Sequence, residues 1–392
     1  VRVARADAVA LTRELVRIDS RNPSLVSGAP GEAGVARALA EILREWGLRV
    51  ELQEAAPGRP NVIARVGTPG LHSLMFNGHL DVVGVEGMTH SAWGDSSSGD
   101  PGRIYGRGSS DMKAGVAAMC AAAARAADNT LDGEIIVAAV VDEEYESAGT
   151  RVLLERGVRA DAAIVTEPTR LAIMPAHLGF VWIDITTHGR AAHGSRWDLG
   201  VDAIRHAGLV LAEIDRIDGE ELPKKSHPLL GRPSVHASLI DGGTGMSTYP
   251  DRCTVRIERR TIPGETPETV RRELEDAVAR VGARRPTFRA SVDVTFAQAP
   301  SDVAVDAPIV RALGDTLRDL GESVRVAGMT AWTDAALLNA AGIPAICFGP
   351  GDMGLAHAAE EYVMTDEIEH ATDVLSRLAI HWCGGDGPAW RS

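Results

Sequence analysis

The sequence predicts an α/β domain with a mostly parallel central sheet, interrupted by an inserted α+β domain of ferredoxin-like order. Three observations carry that expectation. Short apolar runs alternate with helical patterns in the first and last parts of the chain. Four of these runs lead to residues able to bind a metal or move a proton, and open α/β sheets place their sites at the carboxyl ends of strands. Between the third and fourth runs lies a stretch reading β-α-β-β-α-β, which is the ferredoxin-like order. At 392 residues and 45% hydrophobic, the chain has material for two such cores.

In chain order, helical patterns near 6–19 and 32–46 come first. The run "HSLMF" then leads to His79 and Asp81. The stretch 84–105, rich in Gly, Ser and Asp, reads as the loosest loop. A glycine-rich turn in "YGRGSSDMKAGVAAMCAAAARAA" delivers Asp111 to the start of an alanine-rich helix. "EIIVAAVV" leads to Asp142, Glu143 and Glu144, and "AAIVT" leads to Glu167. The insertion follows as strand "FVWIDITTHG", helix "DLGVDAIRHAGLVLAEIDRI", strands "SVHASLIDGG" and "CTVRIERRT", a helix with Thr266 as N-cap and Pro267 in its first turn, and strand "FRASVDVTF". Helix "DAPIVRALGDTLRDLG" and the run "IPAICFGPG" before His357 resume the first domain. The expected division is 1–176 with 293–392 for the catalytic domain and 177–292 for the insertion. Such a four-stranded sheet has an exposed edge, and pairing with a second copy is one way to cover it.

The chemistry starts at "FNGHLDVVG". In extended backbone, residues i and i+2 point the same way, so His79 and Asp81 can touch. A carboxylate beside an imidazole either orients a catalytic base or holds the second nitrogen of a metal-binding histidine. Asp111 taken alone also suits a helix N-terminus, as a cap and against the dipole. Its glycine-rich turn matches neither phosphate-binding pattern, G-x-x-x-x-G-K-[ST] nor G-x-G-x-x-G. Together, His79, Asp111, Glu144, Glu167 and His357 offer two imidazoles and three carboxylates, a nitrogen and oxygen set that suits zinc, manganese or cobalt. Three carboxylates and one hydroxide balance two divalent ions, whereas a single ion leaves the site negative. In "DEE" one glutamate can bind metal while its neighbour stays free as the general base of a hydrolysis.

The formal charge of −14, from 40 basic and 54 acidic residues, argues against a nucleic-acid partner. Cys120, Cys253, Cys347 and Cys383 form no C-x-x-C pair, so neither a thiolate zinc site nor a disulfide framework is indicated, and a reducing cytoplasm is expected. The first 18 residues read as a charged amphipathic helix without a signal-peptide core. No apolar span of membrane length occurs, so no membrane partner is expected.

Taken in order and spacing, "GHLDVV", "YGRGSSDMKAG", "DEE", "TEP", "GRAAHGS" and "FGPGDMGLAH" resemble the M20 metallopeptidase family across essentially the whole chain. The resemblance implies a zinc-peptidase-like catalytic domain with an inserted lid and dimerisation domain. It also implies two divalent ions, zinc with cobalt or manganese as alternatives. Asp111 would bridge them, with His79 and Glu167 on one and Glu144 and His357 on the other. Glu143 would be the general base, and Asp81 would orient His79. His193, in "GRAAHGS", would cross a homodimer interface to the oxygen of the scissile carbonyl. Arg260, in "RIERRTIP", would bind a substrate carboxylate, where Glu258 replaces the aspartate of a D-x-R-x-x-P pattern. Ser247 stands where many members have a substrate-holding asparagine, and Gly349 and Gly351 would line the substrate site. The implied function is hydrolysis of the amide bond of an N-acyl amino acid or short peptide. A metallo-carboxypeptidase or dipeptidase of the same family, or a non-catalytic ligand-binding relative, is the alternative.

Overall fold

The structure, a computed structural model, describes residues 3–70, 72–94, 100 and 102–384. Part of the loop expected at 84–105, namely 95–99 and 101, lies outside the described residues. Two compact units emerge: Val1–Pro175 with Val303–Ala327 and Thr333–Ser392, and Ala176–Asp302 with Gly328–Trp332.

The first unit opens with α1 (Ala8–Val16), whose cap Asp7 accepts from the Ala10 amide, and α2 (Ala33–Glu45). There follow β1 (Arg49–Ala56), β2 (Arg59–Gly67), β3 (Ser73–His79), β4 (Arg103–Tyr105), α3 (Ala114–Ala126), β5 (Glu134–Val140), α4 (Ala148–Glu155), β6 (Ala162–Val165) and β7 (Ile173–His177). The second unit holds β8 (Gly179–His188), α5 (Ala203–Arg216), β9 (Ser234–Gly242), β10 (Arg252–Thr261), α6 (Pro267–Arg284), β11 (Arg289–Gln298) and β12 (Ser301–Asp302). The chain then adds α7 (Pro308–Asp319), β13 (Val326–Met329), α8 (Ala335–Ala340), β14 (Ala345–Cys347), β15 (Tyr362–Met364) and α9 (Thr365–Cys383).

The main sheet of the first unit runs β1-β2-β5-β3-β6-β14-β7. Its centre is parallel, with Phe76 of β3 opposite Val137 of β5 and Ile164 of β6, while β1, β2 and β7 pair antiparallel. All seven residues of β5 are buried, as expected of a strand covered on both faces. Helix α3 is buried almost all round, and its alanines let it lie close to the sheet and to α9. At Gly115 the approach is closest, since a Cβ there would meet the Thr166 carbonyl oxygen at 1.9 Å. This packing lines up the carboxyl ends of β3, β5, β6 and β14.

In the second unit the antiparallel sheet has the order β11-β8-β10-β9. Alternation in β8 turns Val181, Ile183 and Ile185 into a core shared with Val255, Ile257, Val210 and Leu274 from β10, α5 and α6. Thr266 caps α6 reciprocally with Thr269, and Pro267 begins the helix. The unit runs on to Asp302 rather than ending at 292, because β11 pairs with β8 from Arg289 to Gln298. Strand β9 is the outer edge, with Leu239 and Ile240 exposed. Among the described residues, no helix is long and apolar enough to cross a membrane.

Candidate metal centre

Four strand ends of the first unit supply the site. Strand β3 ends on His79, which is buried; its Nε2 lies 3.1 Å from Asp111 Oδ1 and 3.9 Å from Glu143 Oε2. Asp111 does not begin α3. It sits three residues earlier in non-helical backbone, at φ −120° and ψ 95°, and its carboxylate faces the imidazoles of His79 and His357 instead of capping the helix. Beyond β5 the chain turns sharply at Asp142, with φ 70°, and presents Glu143 and Glu144. Glu167 follows β6, and His357 follows β14 in left-handed backbone with φ 59°. His357 Nε2 lies 3.0 Å from Glu144 Oε2 and 3.5 Å from Asp111 Oδ2.

All five expected ligands and Glu143 therefore converge. Ligand atoms of His79, Glu143 and Glu167 lie within 4.8 Å of one another, as do those of His79, Asp111 and Glu144. The electrostatics call for added positive charge. Burial would lower the His79 imidazole, but Asp111, Glu143 and Asp81 outweigh it and hold it well above its usual range. The hydrogen bond to Glu144 pushes His357 up to about 9. Burial pushes Glu143 and Glu167 well up, and their carboxylate neighbours add to it. A set of nitrogen and oxygen donors buried at His79, Asp111 and Glu167 and open to solvent at His357, with this appetite for positive charge, fits divalent cations.

Asp81 works differently from the expectation. The His79 Nδ1 bond, at 2.9 Å, is made by the Asp81 carbonyl oxygen, while the carboxylate stands 3.7 Å away. That carboxylate instead accepts from the amides of Glu143 and Glu144, each at 3.1 Å, and from Asn22 Nδ2 at 2.9 Å. Asp81 thus holds the imidazole through its backbone and the acidic turn through its side chain. Gly349 and Gly351 also depart from the expectation. Both are buried, and their N–H groups donate to Thr169 Oγ1 at 3.1 Å and to Glu367 Oε2 at 2.7 Å, so neither is left for substrate. A Cβ on Gly349 would meet the Thr166 carbonyl oxygen at 2.5 Å, and one on Gly351 the Ser110 Oγ at 2.6 Å. Close packing explains these glycines.

Supporting residues escaped the sequence reading. Asn22 also bonds Asp142 at 3.1 Å, and Arg59 joins Glu32 to Asp142. Glu361 accepts from the amides of Ser110 and Asp111 at 3.0 and 3.1 Å and pairs with Arg107 at 2.6 Å. Asp334, held by Thr150 Oγ1 at 2.6 Å, is raised to about 6 by burial and adds to the charge felt by Glu143 and Glu167. Only the "TD" before α8 and the doubled glutamate after His357 could have signalled two of them.

The remaining candidates lie in the second unit. His193 is exposed, with Nδ1 2.8 Å from Ser195 Oγ, and the Gly194 amide donates to the Ser247 carbonyl at 2.7 Å, so His193 and Ser247 are neighbours. Arg260 is at the other end of the same sheet. It pairs across β10 and β8 with Phe180, while the loop carrying His193 follows His188.

Known proteins resemble this chain in sequence and fold. The family model described as Peptidase family M20/M25/M40 matches residues 75–381. An acetylornithine deacetylase from Myxococcus xanthus is 31% identical, covering 85% of this chain and 87% of its own. An N-formyl-4-amino-5-aminomethyl-2-methylpyrimidine deformylase from Bacillus subtilis (strain 168) is 28% identical, covering 94% and 95%. Among solved structures, aminopeptidase PepT from Bacillus cereus ATCC 10987 has the same fold, with a TM-score of 0.76 at 19% identity, over 97% of this chain and 99% of that one. From His79 at the end of β3 to His357 beyond β14, every residue of the converging cluster falls inside the matched span, and the chain belongs to peptidase family M20/M25/M40.

Proposed function

We propose that the protein is a dinuclear-metal amidohydrolase that removes the acyl group from an N-acyl amino acid, leaving a carboxylate and a free amine. Family membership makes it a hydrolase of amide or peptide bonds. The dinuclear reading rests on Asp111, whose two oxygens face different imidazoles, Oδ1 at 3.1 Å from His79 and Oδ2 at 3.5 Å from His357. A carboxylate so placed can bridge two cations, with His79 and Glu167 completing one set and Glu144 and His357 the other. When bound, two divalent ions supply Lewis acidity and lower the pKa of water toward roughly 7. Among the described residues the Glu143 carboxylate accepts no hydrogen bond, whereas Glu144 is engaged by His357. Glu143 is therefore the group free to take a proton from the attacking water and return it to the amine nitrogen as the C–N bond breaks. Zinc suits the donor set best, with cobalt and manganese as alternatives.

Relatives named as a deacetylase and a deformylase favour acyl removal over peptide cleavage. The Arg260 guanidinium is read as the contact for a substrate carboxylate. His193 is read as reaching the active site of a second copy in a homodimer. His193 lies past the His188 end of β8, at the opposite end of the sheet from Arg260. Exposed Leu239 and Ile240 on the edge strand β9, with exposed Met246 in the loop that follows it, support pairing of copies there. Four buried, free cysteines support a cytoplasmic setting.

The test is a hydrolysis screen of metal-reconstituted protein against N-acetyl, N-formyl and N-succinyl amino acids and simple dipeptides, with elemental analysis of the same sample. Release of amine from the N-acyl compounds, about two divalent ions per chain and loss of turnover with chelator are expected. At most one ion after saturation with zinc overturns the dinuclear reading; turnover of dipeptides alone overturns the deacylase.

A further inference from the structure

The sheet of the second unit has one face under α5 and α6 and one face open. At the end of that open face near Gly179, three aromatic rings form a cluster. Phe180 and Trp182 lie 5.3 Å apart by ring centroid, Trp182 and Phe296 5.3 Å, and Phe180 and Phe296 5.9 Å, all tilted. A bulge in β11 between Val294 and Phe296 makes this possible. It skips Thr295 in the register and sets Phe296 opposite Trp182. The chain has only 5 Phe and 7 Trp, and here two of the former and one of the latter are gathered where no core requires them; Trp182 is 38% exposed. Single exposed apolar residues are ordinary, but a cluster with a polar rim points to a ligand.

The rim is built by Glu258 and Arg260. Glu258 Oε2 accepts from Trp182 Nε1 at 3.0 Å while its Oε1 accepts from Arg260 Nε at 2.7 Å. One carboxylate thus locks both the indole and the guanidinium. The guanidinium carbon lies 5.3 Å from the Phe180 ring centre. With Nε taken, the two Nη groups have no partner among the described residues, and they present the fork that a carboxylate accepts. Glu258 stands where the related pattern has aspartate, and the extra methylene is what lets one side chain reach both partners.

We propose that this face is a subsite for an amino-acid moiety with an aromatic side chain, its carboxylate on the Arg260 fork and its ring stacked on Trp182 and Phe296. The substrate class is then N-acyl aromatic amino acids, an assignment that rests on the amidohydrolase reading above. Glu258 is a positioning residue, acting through Trp182 and Arg260. Arg256 and Asp184, 3.7 Å apart on the next cross-strand row, cancel each other, so the open donors of Arg260 decide which anion is held.

Binding and turnover are measured separately. Calorimetry on the metal-loaded Glu143→Gln chain, expected to bind without turnover, compares N-acetyl-L-phenylalanine with N-acetyl-cyclohexylalanine, which lacks the π face, and with N-acetylphenethylamine, which lacks the carboxylate. The phenylalanine compound is expected to bind at least tenfold tighter than the amine derivative and roughly three- to tenfold tighter than the cyclohexyl one. Trp182→Leu should abolish the aromatic preference, and Glu258→Asp should abolish it and also weaken both carboxylate compounds by releasing the Arg260 fork, with circular dichroism confirming the fold. An unchanged aromatic preference in both variants overturns the subsite. If the preference holds but metal-loaded protein hydrolyses nothing, the amidohydrolase reading fails and the subsite stands; if it hydrolyses aromatic and aliphatic compounds alike with no difference in affinity, the reverse is true.

Discussion

Two adjacent glutamates with opposite duties are the sharpest residue-scale feature. Asp81 pins both their amides, so the backbone treats them alike, and only the side-chain partners differ. Glu144 meets His357 at 3.0 Å, whereas the Glu143 carboxylate stands free of hydrogen bonds among the described residues. Glu143→Gln is therefore expected to keep both metals and lose about 10²- to 10⁴-fold in kcat. Glu144→Gln is expected to lose metal first, read as a lower ion count at equal free zinc; exchanged phenotypes would reverse the two roles. A second residue-scale prediction concerns His177, the last residue of β7. Its Nδ1 bonds the Leu178 carbonyl at 3.0 Å, Nε2 has no partner among the described residues, and burial pushes the imidazole down to about 4. A folded pKa below the unfolded one near 6.5 means that the unfolded chain takes the proton first. The contribution is whole above pH 6.5 and is lost progressively as pH falls to 4, by about 3 kcal/mol. Urea unfolding at pH 7 and pH 4.5 should show wild type losing more stability than His177→Gln; equal losses would remove His177 as the cause.

At the scale of elements, the site depends on where strands stop. Strands β3, β5 and β6 run side by side in register, with Asn77 opposite both Ala138 and Val165, and each reaches a functional residue within three positions of its end. These ends were legible because a parallel strand buried on both faces writes a continuous apolar run, and the first ionisable residue after it marks the end. The start of α3 was less legible. "SSDMKAG" reads as a helix N-terminus, but Glu361 takes the amides of Ser110 and Asp111 and keeps that turn out of the helix. A partner 250 positions away leaves no local trace. The start of α6 was legible to the residue, because its signal is local: Thr266 and Thr269 cap each other at 3.2 and 2.9 Å, with Pro267 as the first helical residue. Thr266→Ala should cost about 1 kcal/mol in denaturant unfolding. A change below a few tenths would mean that the solvent-exposed cap contributes nothing.

At the scale of the whole molecule, the question is whether one chain makes a complete site. His193 and Arg260 occupy opposite ends of one sheet, and the homodimer proposed above assigns them to the active sites of different copies. Two copies can divide the work. His193→Ala and Glu143→Gln chains, each expected to be nearly inactive alone, should regain activity when mixed, because one site of the heterodimer then has both groups. A hydrogen bond from His193 to the developing oxyanion is expected to be worth roughly 2.7–4 kcal/mol, or about 10²- to 10³-fold in kcat. No recovery despite proven subunit exchange, or full activity in a monomer, would return His193 to a role in its own chain.

By itself the sequence determined the apolar runs that become β3, β5, β6 and β14, the inserted β-α-β-β-α-β unit and the residues that converge at the candidate site. Each of these is written locally, as an apolar period, a cap, or an ionisable group at a strand end. Only the tertiary structure decided that Asp111 offers one oxygen to each imidazole, that Asp81 holds His79 by its carbonyl and the acidic turn by its carboxylate, and that the amides of Gly349 and Gly351 are already taken. It also gathered Phe180, Trp182 and Phe296 onto one face, through a bulge that no composition announces. Hydrogen-bond partners and ring contacts depend on atoms brought together from distant parts of the chain, and a one-dimensional pattern records which groups exist without recording which of them meet.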